Sequence, residues 1–309
     1  MTDTKGPVGF IGLGAMGAAM AERLAEAGIP LLALDRNQAA LDAFVARGAT
    51  ACATPAEVAD GAEVVFCCLP KAAISREVAL GADGIAKGRR ARVVVETSTI
   101  GKQAMEPIAA GLAAAGKALV DCPISGGPRG ARAGTLAAIV SGAAVPIEAA
   151  RPYLEIMAKN VFVVGDEPGQ AQVMKLVNNL ISAANMASAF EALVIGAKAG
   201  LDPDMMVQVI NVSTGRNSAT LDKVPQSVLT GSFDYGARLD ILYKDINLGL
   251  SEAEALGVPT WTLNAVTQLF RHGVMELGGE KDFTSLIRLV EGWAGAEVRS
   301  RAATDRDAG

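Results

Sequence analysis

The sequence predicts an α/β domain followed by an all-helical domain, and three observations carry that reading. Up to about residue 165, short β-branched runs alternate with Ala-rich amphipathic stretches, the pattern of parallel strands joined by crossover helices. Beyond the turn formers Gly165-Asp166-Glu167-Pro168-Gly169 the β-rich runs stop, and the chain reads as helices almost throughout. A length of 309 residues leaves room for two hydrophobic cores. The expected domains are 1–165 and 166–309.

In the first half, strands are expected at 8–11, 31–34, 64–68, 92–96, 118–121, 136–141 and 161–164, each a short apolar run. Helices at 16–27 and 102–115 have the length that a crossover between parallel strands requires. The second half opens with an unbroken apolar helix over 171–199, stopped by Gly200. Later helices are punctuated by Asp202-Pro203, Gly215, Thr230-Gly231, Gly257-Val258-Pro259 and Gly278-Gly279. So few polar residues interrupt 171–199 that it serves either as the interface of a homodimer or homotetramer or as a buried intrachain helix.

Composition excludes several function classes. The net charge is -5 and the Lys and Arg residues are scattered, so no cationic field exists to hold a phosphate backbone, and nucleic acid is excluded as a partner. Charges break the apolar stretches before they reach the ~20 residues that cross a membrane, and the first residues lack the basic-apolar-small order of a secretory signal. The expectation is a cytoplasmic protein with no membrane partner. Cys52, Cys67, Cys68 and Cys122 are read as reduced core residues. No metal site is expected, because Cys67 and Cys68 point to opposite faces of any strand and the chain has a single histidine.

The first expected strand runs into Gly12-Leu13-Gly14-Ala15-Met16-Gly17 and then into an Ala/Met/Leu helix. Gly12 permits the tight turn, Gly14 the close approach of a pyrophosphate, and Gly17 close packing of helix on strand, with phosphate charge held at the helix N-terminus. In a chain with 34 glycines a chance match competes with that reading. Asp35, at the end of the second strand and 18 residues beyond Gly17, supplies an independent check, since an acidic side chain there accepts hydrogen bonds from the adenosine ribose. The conjunction indicates a Rossmann domain. Asp35 would repel a 2′-phosphate and favours NAD over NADP, whereas the adjacent Arg36 would pair with that phosphate.

A dehydrogenase also needs a group that exchanges the hydroxyl proton. His272 sits near an apparent helix end, where capping carbonyls or solvation explains it, which argues against histidine-based chemistry. Tyr153, Tyr235 and Tyr243 are followed four residues later by Met157, Leu239 and Asn247, so no Tyr-Lys pair is available. Lys175 remains, four residues before Asn179 and on the same helical face. Its neighbours are apolar, and desolvation there would lower its pKa toward a range useful for proton transfer. On the residues alone it is equally a lysine whose stem covers apolar surface.

Four segments in order resemble the β-hydroxyacid dehydrogenase family. They are Val8 through the turn Gly12-Leu13-Gly14-Ala15-Met16-Gly17; Asp121-Cys122-Pro123-Ile124-Ser125-Gly126-Gly127-Pro128-Arg129-Gly130-Ala131 with Gly134-Thr135-Leu136; Gly169-Gln170-Ala171-Gln172-Val173-Met174-Lys175-Leu176-Val177-Asn178-Asn179; and Lys244-Asp245. The resemblance implies that Lys175 is the general acid/base, that Asn179 helps hold the substrate, and that Ser125, Gly126 and Gly127 offer hydroxyl and backbone N–H groups to a small-molecule carboxylate. A glycine pair suits that task because no side chain stands between its amides and the anion. Leu69-Pro70 and Thr99 match positions where the family meets the cofactor, and Lys244 and Asp245 match its contact on the nicotinamide side. The chain departs from the family in reading Cys122-Pro123-Ile124 where Ala-Pro-Val is common. Arg129 and Arg132 add charge beside the loop, and Arg129 is either solvated or pairs with a second carboxylate of the substrate. Pocket walls beyond the carboxylate are expected at 211–218 or 233–239.

The implied reaction is NAD(P)-dependent interconversion of a small 3-hydroxy acid and its semialdehyde or oxo acid. The alternatives are an imine reductase, against which the retained Lys175 counts, and a dinucleotide-binding protein without turnover.

Overall fold

The computed structural model describes residues 6–300. Its first unit is a mixed sheet in the order β3-β2-β1-β4-β5-β6-β8-β7, with β9 paired to β8. The strands are β1 (Val8–Ile11), β2 (Leu31–Leu34), β3 (Thr50–Ala51), β4 (Val64–Cys67), β5 (Val93–Glu96), β6 (Ala118–Asp121), β7 (Ile124–Ser125), β8 (Leu136–Ser141) and β9 (Ala158–Gly165). From β3 across to β6 every pairing is parallel, with Val8 beside Leu31 and Val64, and Val64 beside Val93. The crossovers are α1 (Ala15–Glu26), α2 (Gln38–Val45), α3 (Pro55–Gly61), α4 (Ala72–Leu80) and α5 (Lys102–Ala114).

The strands are apolar on both sides because helices cover both faces. Phe10, Phe66 and Val95 face a core built with Met20 and Leu24 of α1. The alternate residues Ile11, Val65 and Val94 face a second core with Val58 of α3 and Met105, Ile108 and Leu112 of α5. A period of two thus feeds two cores from one sheet.

The sheet departs from the expected all-parallel order at one place: β8 runs antiparallel to β6 and β7. Between Asp121 and Leu136 the chain spends its residues on β7 and on the short helix α6 (Gly127–Ala133), which packs beside α1. No crossover helix of the usual length fits there, so the chain doubles back. Helix α7 (Ala144–Met157) then returns it to β9, parallel to β8.

Helix α8 (Gln170–Lys198) follows, and the chain divides into two compact units between its Lys175 and Leu176. Of the described helices it alone is long and apolar enough by composition to cross a membrane, and its Ala183, Met186, Phe190 and Leu193 lie in the core of the second unit. That unit adds α9 (Pro203–Asn211), a π-helix (Ala219–Val228), α10 (Leu239–Ala255), α11 (Trp261–Leu277), a 3₁₀ turn (Phe283–Leu286) and α12 (Ile287–Ala294). Its one described β pairing is an isolated bridge between Arg238 and Asp282. His272 lies inside α11, not at a helix end, and its ring packs on Trp293 at 5.6 Å. Gly273 does not stop α11, because its missing side chain makes room for Leu286: a Cβ there would stand 2.5 Å from the Leu286 Cδ1.

Candidate active site

The glycine turn shows three glycines used in three ways. Gly12 has φ +97°, and a Cβ on it would lie 2.2 Å from the Cys68 carbonyl oxygen. A Cβ on Gly17 would lie 1.9 Å from the Gly12 carbonyl oxygen, so α1 rests directly on the turn. Gly14 is exposed and faces open space, with nothing within 4 Å of a Cβ position. As the N-cap of α1 it brings no capping side chain, and no acidic residue occupies the first helical turn. The α1 amides beside Gly14, Ala15 and Met16 are therefore left for an anion.

Asp35 stands at the end of β2 and accepts hydrogen bonds from the Leu13 amide and, at 2.6 Å, from the Asn37 amide. It ties the second strand to the glycine turn, and each carboxylate oxygen keeps acceptor capacity for a ribose hydroxyl. Arg36 is exposed. These residues fit a dinucleotide: Gly14 leaves open space for a pyrophosphate, and Asp35 keeps acceptor capacity for a ribose hydroxyl.

At the ends of β4, β5 and β6 a buried polar network joins the cofactor side to helix α8. The Leu69 amide donates to Ser98 Oγ at 2.6 Å, and Ser98 Oγ donates to Glu96. Gln172, fully buried in the first turn of α8, accepts from the Ile100 amide at 2.8 Å and the Gly101 amide at 3.1 Å. Its Nε2 donates to the Ser98 carbonyl at 3.1 Å and to Asp121 Oδ1 at 2.7 Å. Asp121 also accepts from the Gly169 amide at 2.8 Å and the Gln172 amide at 3.1 Å, and Ser141 Oγ accepts from Ala171 at 3.0 Å. The orphan amides that open α8 are thus capped from the sheet, with a carboxylate at the positive end of the helix.

Glu96 and Asp121 are register partners on neighbouring strands, and both are buried. Burial pushes the Glu96 carboxyl up to about 7 against the pull of its Ser98 hydrogen bonds, and Asp121 adds to the rise. Burial also raises Asp121, opposed by its hydrogen bonds from Gln172, Gly169 and Ser141. Four donors on Asp121 let it carry the negative charge while Glu96 keeps a proton near neutrality.

Lys175 is buried one turn after Gln172. Thr99, half-buried, lies between the two stretches that Gln172 holds, Ser98 on one side and Ile100-Gly101 on the other. Ser125 ends β7, and Gly126 and Gly127 follow with φ +130° and +64°, conformations that glycine adopts freely. A Cβ on Gly127 would meet nothing within 4 Å, which leaves its amide approachable. Arg129 and Arg132 on α6 are exposed. Pro70 is exposed at the end of the β4 loop.

In the second unit Asn179 Nδ2 donates to Asp245 Oδ2 at 2.7 Å, and Lys244 Nζ lies 3.0 Å from Asp245 Oδ1. The structure therefore joins Asn179, Lys244 and Asp245, and the buried Asp245 carboxylate serves to orient the other two. All four cysteines are free thiols, and burial pushes Cys68 up to about 12. Among the described residues no three His, Cys, Asp or Glu side chains group around a metal position.

Sequence reasoning assigned no role to Glu96, Ser98, Asp121, Ser141 or Gln172. The available signal was the polar residue closing each of three apolar strands, Glu96, Asp121 and Ser141.

Two family models match the chain, one described as the NAD binding domain of 6-phosphogluconate dehydrogenase over residues 7–165, the other as the NAD-binding region of NADP-dependent 3-hydroxyisobutyrate dehydrogenase over residues 169–290. The 2-(hydroxymethyl)glutarate dehydrogenase of Eubacterium barkeri is 36% identical, covering 94% of this chain and 97% of that one. The chain belongs to the β-hydroxyacid dehydrogenase family. The 3-hydroxyisobutyrate dehydrogenase of Pseudomonas aeruginosa is 35% identical over 94% of this chain and 99% of its own length. Among solved structures, the Mycobacterium tuberculosis 3-hydroxyisobutyrate dehydrogenase with L-serine superposes with a TM-score of 0.85 at 28% identity, covering 92% of this chain and 99% of that one. As a β-hydroxyacid dehydrogenase the chain is an NAD(P)-dependent oxidoreductase that acts on a small hydroxy acid.

Proposed function

We propose that this β-hydroxyacid dehydrogenase oxidises a 3-hydroxy carboxylic acid to its semialdehyde or oxo acid, and reverses that reaction, with Lys175 as the general acid/base. One observation carries the reading: Gln172, Asp121 and Ser141 pin the turn of α8 that bears Lys175 to the strand ends beside Leu69 and Thr99, the positions implied to meet the cofactor. In oxidation the uncharged Lys175 amine takes the hydroxyl proton as the carbonyl forms, and in reduction the ammonium returns it. When bound, the nicotinamide supplies the acceptor for the substrate's hydride. Ser125, Gly126 and Gly127 hold the substrate carboxylate through a hydroxyl and backbone amides, and Asn179, oriented by Asp245, holds the substrate beside the lysine.

Replacing Lys175 by Ala is expected to lower turnover by roughly two to four orders of magnitude, the usual weight of a positioned acid/base, while NADH still binds. Full activity of Lys175→Ala would overturn the assigned role. An enzyme that binds NADH and turns over no hydroxy acid would favour the non-catalytic alternative, and the sequence relatives favour the dehydrogenase over an imine reductase.

The Asp35 carboxylate beside the turn supports NAD over NADP. A lower Michaelis constant for NADPH than for NADH would refute that preference. The relatives' names span an acid with two carboxylates, a glutarate, and one with a single carboxylate, an isobutyrate. Both remain candidate substrates on the residues described so far. The reduced cysteines support a cytoplasmic setting. Exposed Ile181, Ile195, Met205 and Val209 on α8 and α9 support a homodimer or homotetramer, which light scattering on the eluted protein would measure.

A further inference from the structure

Helix α6 is weak by composition. Its seven residues, Gly127–Ala133, include two glycines, and glycine is among the poorest helix formers because its backbone loses the most freedom on folding. The helix nevertheless fixes the turn that precedes it, since the Gly130 amide donates to the Gly126 carbonyl at 3.1 Å. The Gly126 and Gly127 amides are therefore placed by α6, and a short helix of this kind is itself held by what packs against it.

Arg23 of α1 is situated to hold it. The two helices pack together, with Met20 and Leu24 of α1 and Ala131 of α6 buried in one core. Arg23 follows Met20 by three residues and so shares its helical face. Its guanidinium lies against Gly134, the residue that caps the end of α6: a Cβ on Gly134 would stand 3.1 Å from Arg23 Nη2 and 3.3 Å from Nε. Gly134 has φ +65°, so glycine serves there twice, taking the left-handed conformation and leaving room for the guanidinium.

The partners of the guanidinium are informative. Nη1 donates to the exposed Glu26 at 3.1 Å, whereas Nε is buried and has no hydrogen-bond partner among the described residues. A buried N–H of that kind costs free energy, and the charge at the end of α6 offsets it. The Gly130 and Ala131 carbonyls accept from the Thr135 and Gly134 amides, and the helix end carries the partial negative charge that a cation at the cap stabilises. All these residues belong to the first unit, and α1 is the helix whose first turn is left for the pyrophosphate.

We propose that Arg23 is the positioning residue of the carboxylate-binding turn: seated against Gly134, it locks α6 to α1 and thereby sets the Gly126 and Gly127 amides for the substrate. The claim rests on the hydroxyacid dehydrogenase reading and adds to it a residue that acts through α6.

The test uses whichever of 3-hydroxyisobutyrate, 2-(hydroxymethyl)glutarate and L-serine the wild-type enzyme oxidises fastest. Arg23→Met keeps the apolar stem and removes the charge. It is expected to raise KM for the hydroxy acid about three- to thirty-fold, the range of a partly buried cation at a helix end. KM for the nicotinamide cofactor should change less, because Gly17 still seats α1 on the glycine turn. Arg23→Lys should recover part of the loss. Gly134→Ala, whose methyl group displaces the guanidinium, should raise the same KM, and the two substitutions combined should raise it by less than the product of their separate effects, because both break one contact. A residue that only stabilised the fold would lower the thermal midpoint and leave KM for the acid unchanged. That result, equal rises in KM for acid and cofactor, or fully multiplicative effects overturns the proposal. If Arg23→Met does not fold, Arg23→Lys and Gly134→Ala decide by the same KM comparison. Absence of turnover of all three acids by the wild-type enzyme with both nicotinamide cofactors would instead overturn the dehydrogenase reading, so the two failures are distinct.

Discussion

A buried glutamine with both amide hydrogens donated and its oxygen accepting twice, as in Gln172, cannot be removed without stranding its partners. In Gln172→Leu the Ile100 and Gly101 amides lose their acceptor and Asp121 loses a donor, at a cost of about 1–3 kcal/mol for each group left unpaired. The first turn of α8 then loosens from the strand ends, and Lys175 moves with it. The expected outcome is a fall in kcat larger than the loss of NADH affinity, because the glycine turn is untouched and only the stretch around Thr99 loosens on the cofactor side. Gln172→Glu adds a pH signature: its carboxyl would sit against Asp121 at the present 2.7 Å contact, so one of the pair must hold a proton, and activity should recover as pH falls. A pH profile parallel to wild type would show that Gln172 does not position Lys175. The roles proposed for Lys175 and Asn179 come from the resemblance of their segment to the family, not from their spacing alone. Gln172 lies in the same quoted segment, but glutamine is ordinarily a surface residue of helices, and its burial follows only from Ser98 and Asp121 arriving beside it from β5 and β6.

Secondary-structure elements meet at the glycine turn in a way that makes two substitutions of one kind behave oppositely. Gly17→Ala would drive a Cβ to within 1.9 Å of the Gly12 carbonyl oxygen, pushing α1 off β1. Gly14→Ala meets nothing in the protein. The thermal midpoint without cofactor should therefore fall in Gly17→Ala and hold in Gly14→Ala, whereas NADH affinity should fall in Gly14→Ala, whose methyl group projects where the pyrophosphate approaches. Equal stability losses in the two variants would contradict the division of roles. The sequence read these elements well where local pattern decides them: β1, β2, β6 and β8 fall at their expected residues. It missed β3 and β7, two residues each, which are too short for a period of two to register. The reversal of β8 was hidden for a different reason, since strand direction depends on how α6 packs beside α1, a contact between distant segments.

At the scale of the whole molecule, the change from α/β to helix was readable from where the β-branched runs end, but the pH dependence of stability was not, because it arises from two carboxyl groups brought together by strand register. Glu96 has an unfolded pKa near 4.5 and a folded one of about 7, so the folded state binds its proton more tightly. The stability from that protonated form is complete below about pH 4.5 and is lost as pH rises through about 7. Asp121 is raised as well and acts with the same sign. For Glu96 the gap corresponds to roughly 3 kcal/mol as an upper bound. Exposed Asp60 and Glu148, held below their ordinary values by Arg89 and Arg151, lose their contributions only in more acidic solution and leave the neutral range unaffected. The thermal midpoint of the wild-type protein should therefore decline between about pH 4.5 and pH 7, and Glu96→Gln, which keeps an acceptor for Ser98 and cannot ionise, should flatten that decline. A Glu96→Gln profile parallel to wild type would leave Asp121 as the buried titration behind the decline, and a wild-type midpoint that rises across this range would contradict the raised pKa of both groups.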